Sequence, residues 1–129
     1  MGLLARLHAK LDRSAGPDAC WPWLGAQSRG QGRETTYGHL REGGAKARFW
    51  RVPRLVLLLE DLPEEAFEQG EQALLRWLRL ADAQRDLLDA AHQCDHSLCG
   101  NPRHLAWESH RMNVVAQAQR RRDAKREAA

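Results

Sequence analysis

The residues most able to do chemistry lie between positions 91 and 113. This window contains two of the three cysteines and four of the six histidines in the 129-residue chain. It also contains Gly100 and the pair Asn101-Pro102, which favour turns and argue against one continuous helix. Thiols and imidazoles at this density, on a backbone that turns, are typical of a site that binds a metal ion.

The ligand types point to zinc. Cys94, Cys99 and His104 follow one another at intervals of five residues, so a turning backbone can direct all three toward one ion. A structural zinc site needs four thiolate or imidazole ligands in a closed tetrahedron, and the remaining thiol of the chain is Cys20. The sequence therefore predicts a zinc site made of Cys20, Cys94, Cys99 and His104. Three cysteines without an export signal also favour a metal over disulfides.

His92 stays outside this predicted site, two residues before Cys94, so its imidazole is held in place but not consumed as a ligand. An imidazole that is neutral near pH 7 can accept a proton, which makes His92 a candidate general base. A satisfied surface histidine is the commoner fate of a lone His and remains the alternative. Residues 105–107 predict a short strand, and Ser109 predicts the N-cap of a helix that begins at His110.

The pattern H-x-C-x4-C-x-N-P-x-H-L-x-W-E-S-x3-N, from His92 to Asn113, resembles that of the ββα-metal (His-Me finger, HNH) nucleases. Among them it is most similar to the His-Cys box homing endonucleases and to phage HNH endonucleases with a Cys-Trp-x-Trp opening. Upstream segments fall in the order that such phage enzymes show: Leu11-Asp12, Cys20-Trp21-Pro22-Trp23-Leu24-Gly25, Tyr37-Gly38 and Arg51-Val52. The resemblance covers most of the chain, and residues 60–90 have no counterpart.

The resemblance implies a metal-dependent DNA endonuclease that hydrolyses phosphodiester bonds. His92 would be the general base that activates water, and Asn113 would bind one catalytic divalent ion, Mg²⁺ or another. The two cysteines of the window, with Cys20 and His104, would hold the structural zinc, and Asn101 would brace the loop by hydrogen bonds to backbone. Ala91 departs from the pattern, because many HNH enzymes have a metal-binding acid there. A second zinc knuckle is also missing, since no cysteine follows position 99.

The expected architecture is a single α+β domain over residues 1–129. It would consist of a ββα-metal core with a structural zinc, an N-terminal β-hairpin and flanking helices. A mass of 14.7 kDa suits one modest core. No apolar run reaches the length of a membrane span and the N-terminus does not lead into a signal segment, so a cytoplasmic protein without a membrane partner is expected.

Charge is unevenly distributed along the chain. Residues 60–95 contain ten acidic residues and three arginines, a net charge of −7, so the rest carries +10 to give the total of +3. Most of the cations are arginines, whose planar fork suits phosphates and guanine edges. A polyanion such as double-stranded DNA is therefore the expected partner. An arginine-rich composition that merely reflects a GC-rich genome is the alternative.

Apolar spacing and turn residues place the remaining elements. Leu3, Leu4, Leu7 and Leu11 predict a short helix that ends near residues 12–14, and residues 27–33 predict a flexible loop. Residues 35–41 and 47–51 predict a hairpin. Pro53 predicts the first turn of a buried helix. The segment 60–90 is expected to be an acidic helical insertion with a structural or oligomeric role. Its helix is predicted to begin at Pro63-Glu64-Glu65 and to have an apolar face made of Ala73, Leu74, Trp77, Leu78 and Leu80. The last helix continues into a basic tail, 120–129.

An Arg-rich hairpin has the dimensions to enter a major groove, with a merely solvated ribbon as the alternative. Arg48 or Arg51 could also lie near the scissile phosphate, and the sequence does not decide between them. Cations of the last helix could grip the DNA backbone or simply complement the helix dipole. The candidate DNA-binding residues are Arg29, Arg33, Arg41, Lys46, Arg48, Arg51, Arg111, Arg120 and Arg121.

Two other classes of function remain open at this point. One is a zinc-stabilised DNA-binding module without catalysis, and the other is an assembly protein whose zinc only holds the fold together. For the endonuclease, a single active centre would nick one strand. A double-strand break would require a homodimer or two separate cuts.

Overall fold

The computed structural model describes residues 2–29, 36–43 and 48–128. The described residues form a mixed α+β fold with four α-helices and two small sheets. In chain order the elements are α1 (Leu3–Ala9), β1 (Gln27–Arg29), β2 (Thr36–Arg41), β3 (Phe49–Arg51), α2 (Val52–Asp61), α3 (Glu71–Gln84), β4 (Leu88–His92), β5 (Leu105–Ser109) and α4 (His110–Ala128). Short 3₁₀ turns at Glu64–Phe67 and Pro102–His104 precede α3 and β5.

The predicted hairpin forms the antiparallel pair β2–β3, with His39 opposite Arg51 and Leu40 opposite Trp50. The prediction of a flexible loop at 27–33 is wrong for residues 27–29, which form β1 and pair with the other edge of β2. The strand forms although its residues are polar, because the free edge of β2 offers backbone hydrogen-bonding groups that need partners.

Trp23 packs against the buried face of this sheet. It packs directly on Gly38 of β2, where an added Cβ would lie 2.4 Å from the Trp23 ring. Its indole Nε1 donates to the carbonyl of Ala26 at 2.8 Å, so the one polar atom of the buried ring is satisfied. A glycine at position 38 is therefore required by the approach of the ring.

The core is organised around α2, which packs against β2, α3 and β4. The helix contains Pro53 in its first turn, as predicted, and buries Leu55 and Leu58 completely. The N-terminal helix α1 adds Leu3 and Leu7 to the same core. It ends at Ala9, earlier than predicted, because Leu11 instead forms an isolated β-bridge with Trp23.

The acidic segment 60–90 is helical only in part. A 3₁₀ turn follows Pro63, Gly70 adopts a φ of 91°, and α3 begins one residue later. The predicted apolar face is wrong at Leu80, whose side chain is 58% exposed. The buried residues of α3 are Ala73, Leu74, Leu75, Leu78 and Ala81, a stripe at helical spacing that excludes Leu80.

Ion pairs and hydrogen bonds with arginines connect this segment to the rest of the fold. Asp82 pairs with both Arg48 and Arg54. The Arg54 guanidinium also donates to three backbone carbonyls, those of Leu88, Asp82 and Arg85. One arginine of α2 therefore joins the end of α3 to the start of β4.

The C-terminal part consists of the antiparallel pair β4–β5 followed directly by α4. Ser109 Oγ accepts a hydrogen bond from the backbone N–H of Met112 at 3.2 Å, which confirms the predicted N-cap. In the part of the chain that is described, each helix falls short of the combined length and apolarity needed to cross a bilayer.

Candidate metal centre and adjoining clefts

Cys20, Cys94, Cys99 and His104, here called the metal cluster, converge as the sequence predicts. One ligand atom from each lies within 4.8 Å of the others. His104 Nδ1 is 3.5 Å from Cys20 Sγ and 3.6 Å from Cys99 Sγ. In a tetrahedral zinc site a thiolate and an imidazole nitrogen are separated by roughly 3.5 Å, given metal–ligand distances of about 2.3 and 2.0 Å. The cluster could therefore hold a tetrahedral ion such as zinc with four protein ligands.

Backbone pairing brings Cys20 to the other three ligands. Pro22 forms a β-bridge with Cys99, and Trp23 N–H donates to Leu98 O at 2.9 Å. Gly100 N–H donates to Trp21 O at 2.8 Å. These bonds fix the N-terminal loop alongside the 94–104 loop independently of any ion, so the cluster lies on a braced backbone.

A second layer of hydrogen bonds orients the ligands. His104 Nε2 donates to Asp18 O at 2.7 Å, which leaves the lone pair of Nδ1 facing the sulfur atoms. Asn101 is completely buried, and its Nδ2 donates to Pro17 O and Ala19 O at 2.9 and 2.6 Å. Its Oδ1 accepts from Arg103 N–H at 3.0 Å. Asn101 therefore braces the loop that carries Cys20, as expected.

The thiols of the cluster are mutually repulsive when they ionise. Burial and the neighbouring thiols of Cys99 and Cys94 together raise the pKa of Cys20 to about 12, and burial has the largest effect. Burial also raises the pKa of Cys94. Three adjacent thiolates need a cation to stabilise them, which agrees with the ligand geometry.

His92 lies next to the metal cluster and is only 8% exposed. Its Nε2 is 3.0 Å from the carbonyl oxygen of Cys99. A carbonyl can only accept, so Nε2 carries the ring proton and Nδ1 carries a free lone pair. Burial lowers the pKa of His92, with an opposing effect from the bond to Cys99. The loop that carries Cys94 and Cys99 thus fixes both the orientation and the tautomer of this histidine.

His92 lines a cleft of about 280 Å³, here called the histidine cleft. Tyr37 stacks near the imidazole, with ring centroids 6.4 Å apart, and Arg51 lies over the Tyr37 ring at 5.4 Å. Arg120 and Arg121 of α4 line the same cleft. Arg120 also pairs with Asp95 and donates to His92 O at 3.2 Å. The histidine therefore borders a surface that is rich in arginine.

Asn113 lines a second cleft of about 200 Å³, here called the asparagine cleft, together with Arg51. The amide is 8% exposed; its Nδ2 donates to Asp89 Oδ2 at 3.2 Å and its Oδ1 accepts from Gln117 Nε2 at 3.3 Å. Tyr37 and Gln117 lie in the walls of both clefts. His92 and Asn113 thus open into neighbouring clefts that share a wall.

The candidate cations are distributed over several surfaces. Arg51 lines the asparagine cleft, whereas Arg48 pairs with Asp82 and lies over the Trp50 ring at 4.2 Å. Arg41 is exposed and lies over the Phe49 ring at 4.9 Å. The remaining candidates are Arg111, exposed in the first turn of α4, Arg29, which ends β1, and Arg33 and Lys46, which lie outside the described residues.

Asp89 and His110 are potential functional residues that the sequence reasoning missed. Both line the asparagine cleft, and Asp89 Oδ2 contacts His110 Nδ1 at 2.7 Å. The spacing His110-x-x-Asn113 at the start of a predicted helix was a usable signal, because residues three apart share a helix face. Asp89 gave no such signal, since its contact with α4 depends on how the helix packs on the strand pair.

Comparison of the chain with protein-family models, with curated proteins and with solved structures gave no match.

Proposed function

We propose that this protein is a metal-dependent DNA endonuclease of the ββα-metal (His-Me finger, HNH) class, with zinc as the structural ion of the metal cluster. The order of β4, the loop that carries Cys94 and Cys99, β5 and α4 supports the proposal, because it is the order that the resemblance implies. The observation that carries the proposal is the contact of His92 Nε2 with the carbonyl oxygen of Cys99. The Nδ1 lone pair of His92 is fixed by the bond from Nε2 to Cys99 O, beside an arginine-lined cleft.

In phosphodiester hydrolysis, a water oxygen attacks phosphorus as the bond to the leaving 3′-oxygen breaks. His92 Nδ1 accepts the proton of the attacking water, which turns the ring into an imidazolium. The carbonyl of Cys99 then accepts from a positively charged donor, and this strengthens their hydrogen bond. The Cys99 carbonyl therefore stabilises the charged imidazolium, which forms during the reaction, more than the neutral ring.

A divalent ion bound by Asn113 would stabilise the negative charge on the scissile phosphate and the leaving oxygen. The asparagine cleft suits such an ion, because a carboxylate, an amide and an imidazole from Asp89, Asn113 and His110 line it. Arg51 lies in the wall of the same cleft and would add a fixed positive charge near the phosphate. Of the two candidate arginines we assign this role to Arg51, because Arg48 is occupied by Asp82.

Double-stranded DNA is the substrate that the charge distribution favours. Arg121 would hold a backbone phosphate at the histidine cleft, and Arg120 would do the same when a phosphate replaces Asp95 as its partner. Arg41 and Arg51 extend the basic surface across the sheet β1–β2–β3. Phosphate contacts of this kind make binding strongly dependent on salt. One centre of this kind cuts one strand, so a homodimer would be needed for concerted cleavage of both.

The test is nicking of supercoiled plasmid by the zinc-loaded protein with Mg²⁺ or Mn²⁺. His92→Ala should reduce the cleavage rate by ~10²–10⁴-fold, the usual effect of losing a general base. His8→Ala is the matched control, because His8 is an exposed histidine on α1 outside both clefts, and it should cleave at the wild-type rate. Added imidazole should partly restore His92→Ala, provided that its zinc content matches the wild type.

If the wild type binds DNA but does not cleave it with either ion, the endonuclease proposal is wrong. The protein would then be a zinc-stabilised DNA-binding module. If His92→Ala cleaves as fast as His8→Ala, the assignment of His92 as the base is wrong.

A further inference from the structure

A second group of ligand-type side chains converges on Asp89, about the start of α4. Asp89 Oδ2 is 2.7 Å from His110 Nδ1 and 3.2 Å from Asn113 Nδ2. His110 and Asn113 are three residues apart in the first turn of α4, so they share one face of the helix. One carboxylate oxygen on β4 therefore contacts two side chains of α4 at once.

The contact with Asp89 fixes which nitrogen of His110 is free. An ionised carboxylate can only accept hydrogen bonds, so Nδ1 of His110 carries a proton, and in the neutral ring the lone pair is on Nε2. The His110 side chain is 67% exposed, so this lone pair is accessible to a ligand from solvent. A histidine whose second ring nitrogen donates to a carboxylate is the usual arrangement of metal-binding histidines.

The same contact orients Asn113. Because the carboxylate accepts, the amide group that faces it must be the NH₂, and the Oδ1 of Asn113 points elsewhere. That oxygen accepts from Gln117 Nε2 at 3.3 Å, a long hydrogen bond that a cation can replace. Asp89 thus leaves one nitrogen lone pair and one amide oxygen available on the same turn of α4.

Two carboxylates also face each other on the strand pair beside these side chains. Asp89 lies directly opposite Glu108 in the β4–β5 pair, an arrangement in which two like charges repel. Glu108 Oε2 is buried, and it has no hydrogen-bond partner among the described residues. A divalent ion bound beside Asp89 would reduce this repulsion.

We infer that His110 Nε2 and Asn113 Oδ1 together bind the divalent ion of the asparagine cleft, and that Asp89 is the residue that positions both. The inference rests on the proposed function for the presence of that ion, and it specifies the ligands and the kind of ion. A site with an imidazole nitrogen favours a transition-metal ion such as Mn²⁺ or Co²⁺, whereas Mg²⁺ prefers oxygen ligands alone.

The test is Mn²⁺ binding to the zinc-loaded full chain without DNA. Binding is measured as the loss of the free Mn²⁺ signal in electron paramagnetic resonance. His110→Ala should weaken Mn²⁺ binding roughly tenfold or more, and Asp89→Asn should weaken it by roughly 10–100-fold, as second-layer changes do. His8→Ala should bind as the wild type does. Equal zinc content and circular dichroism would exclude unfolding as the cause.

Metal preference gives a second measurement. Competition with Mg²⁺ should show that the wild type prefers Mn²⁺ by about tenfold or more, and His110→Asn should narrow this preference because it replaces the nitrogen ligand with oxygen. Equal binding by His110→Ala and His8→Ala would overturn the inference, and so would a wild type that binds no Mn²⁺ beyond its zinc.

Failure of this inference is distinguishable from failure of the proposed function. Cleavage that depends on Asn113 but not on His110 or Asp89 would overturn the inference and leave the endonuclease in place. If Mn²⁺ binding requires His110 and Asp89 but the protein does not cleave DNA, the ligand assignment is supported and the endonuclease proposal is refuted.

Discussion

Replacing Asn101 with alanine should strongly destabilise the protein, although Asn101 is outside the metal cluster. The variant loses two bonds to Pro17 O and Ala19 O and one from Arg103 N–H, all around a side chain with no exposed surface. At ~1 kcal/mol for each lost bond, the free energy of unfolding should fall by about 3 kcal/mol. Because the loop of Cys20 loses its brace, zinc should also dissociate faster.

The assay is urea unfolding of zinc-loaded Asn101→Ala and of the matched control Asn113→Ala. Asn113 is a second buried amide, but its bonds go to the side chains of Asp89 and Gln117, which can turn toward water. The control should therefore lose less than about 1 kcal/mol. A chromogenic chelator measures zinc release in parallel. If the two variants unfold at the same urea concentration, Asn101 does not brace the loop and the reasoning is refuted.

Two further predictions separate the site from its supports. Arg51→Ala should reduce the rate of DNA cleavage at least roughly tenfold, with a free energy of unfolding within about 0.5 kcal/mol of the wild type. Arg48→Ala should instead lower the free energy of unfolding by about 0.2–1 kcal/mol, the usual range for an exposed ion pair. The reverse pattern, measured by nicking and urea unfolding, would exchange their roles. Cys20→Ser should lose the tightly bound zinc and unfold at a lower temperature than the wild type. Cys20→His should retain more zinc and more thermal stability, because it keeps a zinc ligand. Equal zinc content in Cys20→Ser and the wild type would show that Cys20 does not belong to the metal cluster.

The metal cluster could be predicted from sequence because its chemistry is restrictive. Zinc accepts few ligand types, the chain has three thiols, and three of the four ligands are close in sequence. The N-cap at Ser109 was predictable for a similar reason, since capping depends on a single local side chain. Features that depend on restrictive chemistry or on one local side chain can therefore be predicted without knowledge of the fold.

The features that could not be predicted depend on contacts between distant elements. The strand β1 has a polar sequence typical of a loop, and it exists because β2 has a free edge. The choice between Arg48 and Arg51 required the position of Asp82 on α3, which no spacing reveals. The role assigned to Asp89 likewise depends on how α4 packs against β4.

The hydrogen bonds of Arg54 have a consequence for attempts to shorten this protein. Its guanidinium donates to acceptors of Asp82, Arg85 and Leu88, all within the segment that has no counterpart in the related sequence pattern. Excising that segment to obtain a minimal version would remove these acceptors of Arg54 and leave its positive charge on the central helix. Any trimmed design would therefore also have to exchange Arg54 for an apolar side chain.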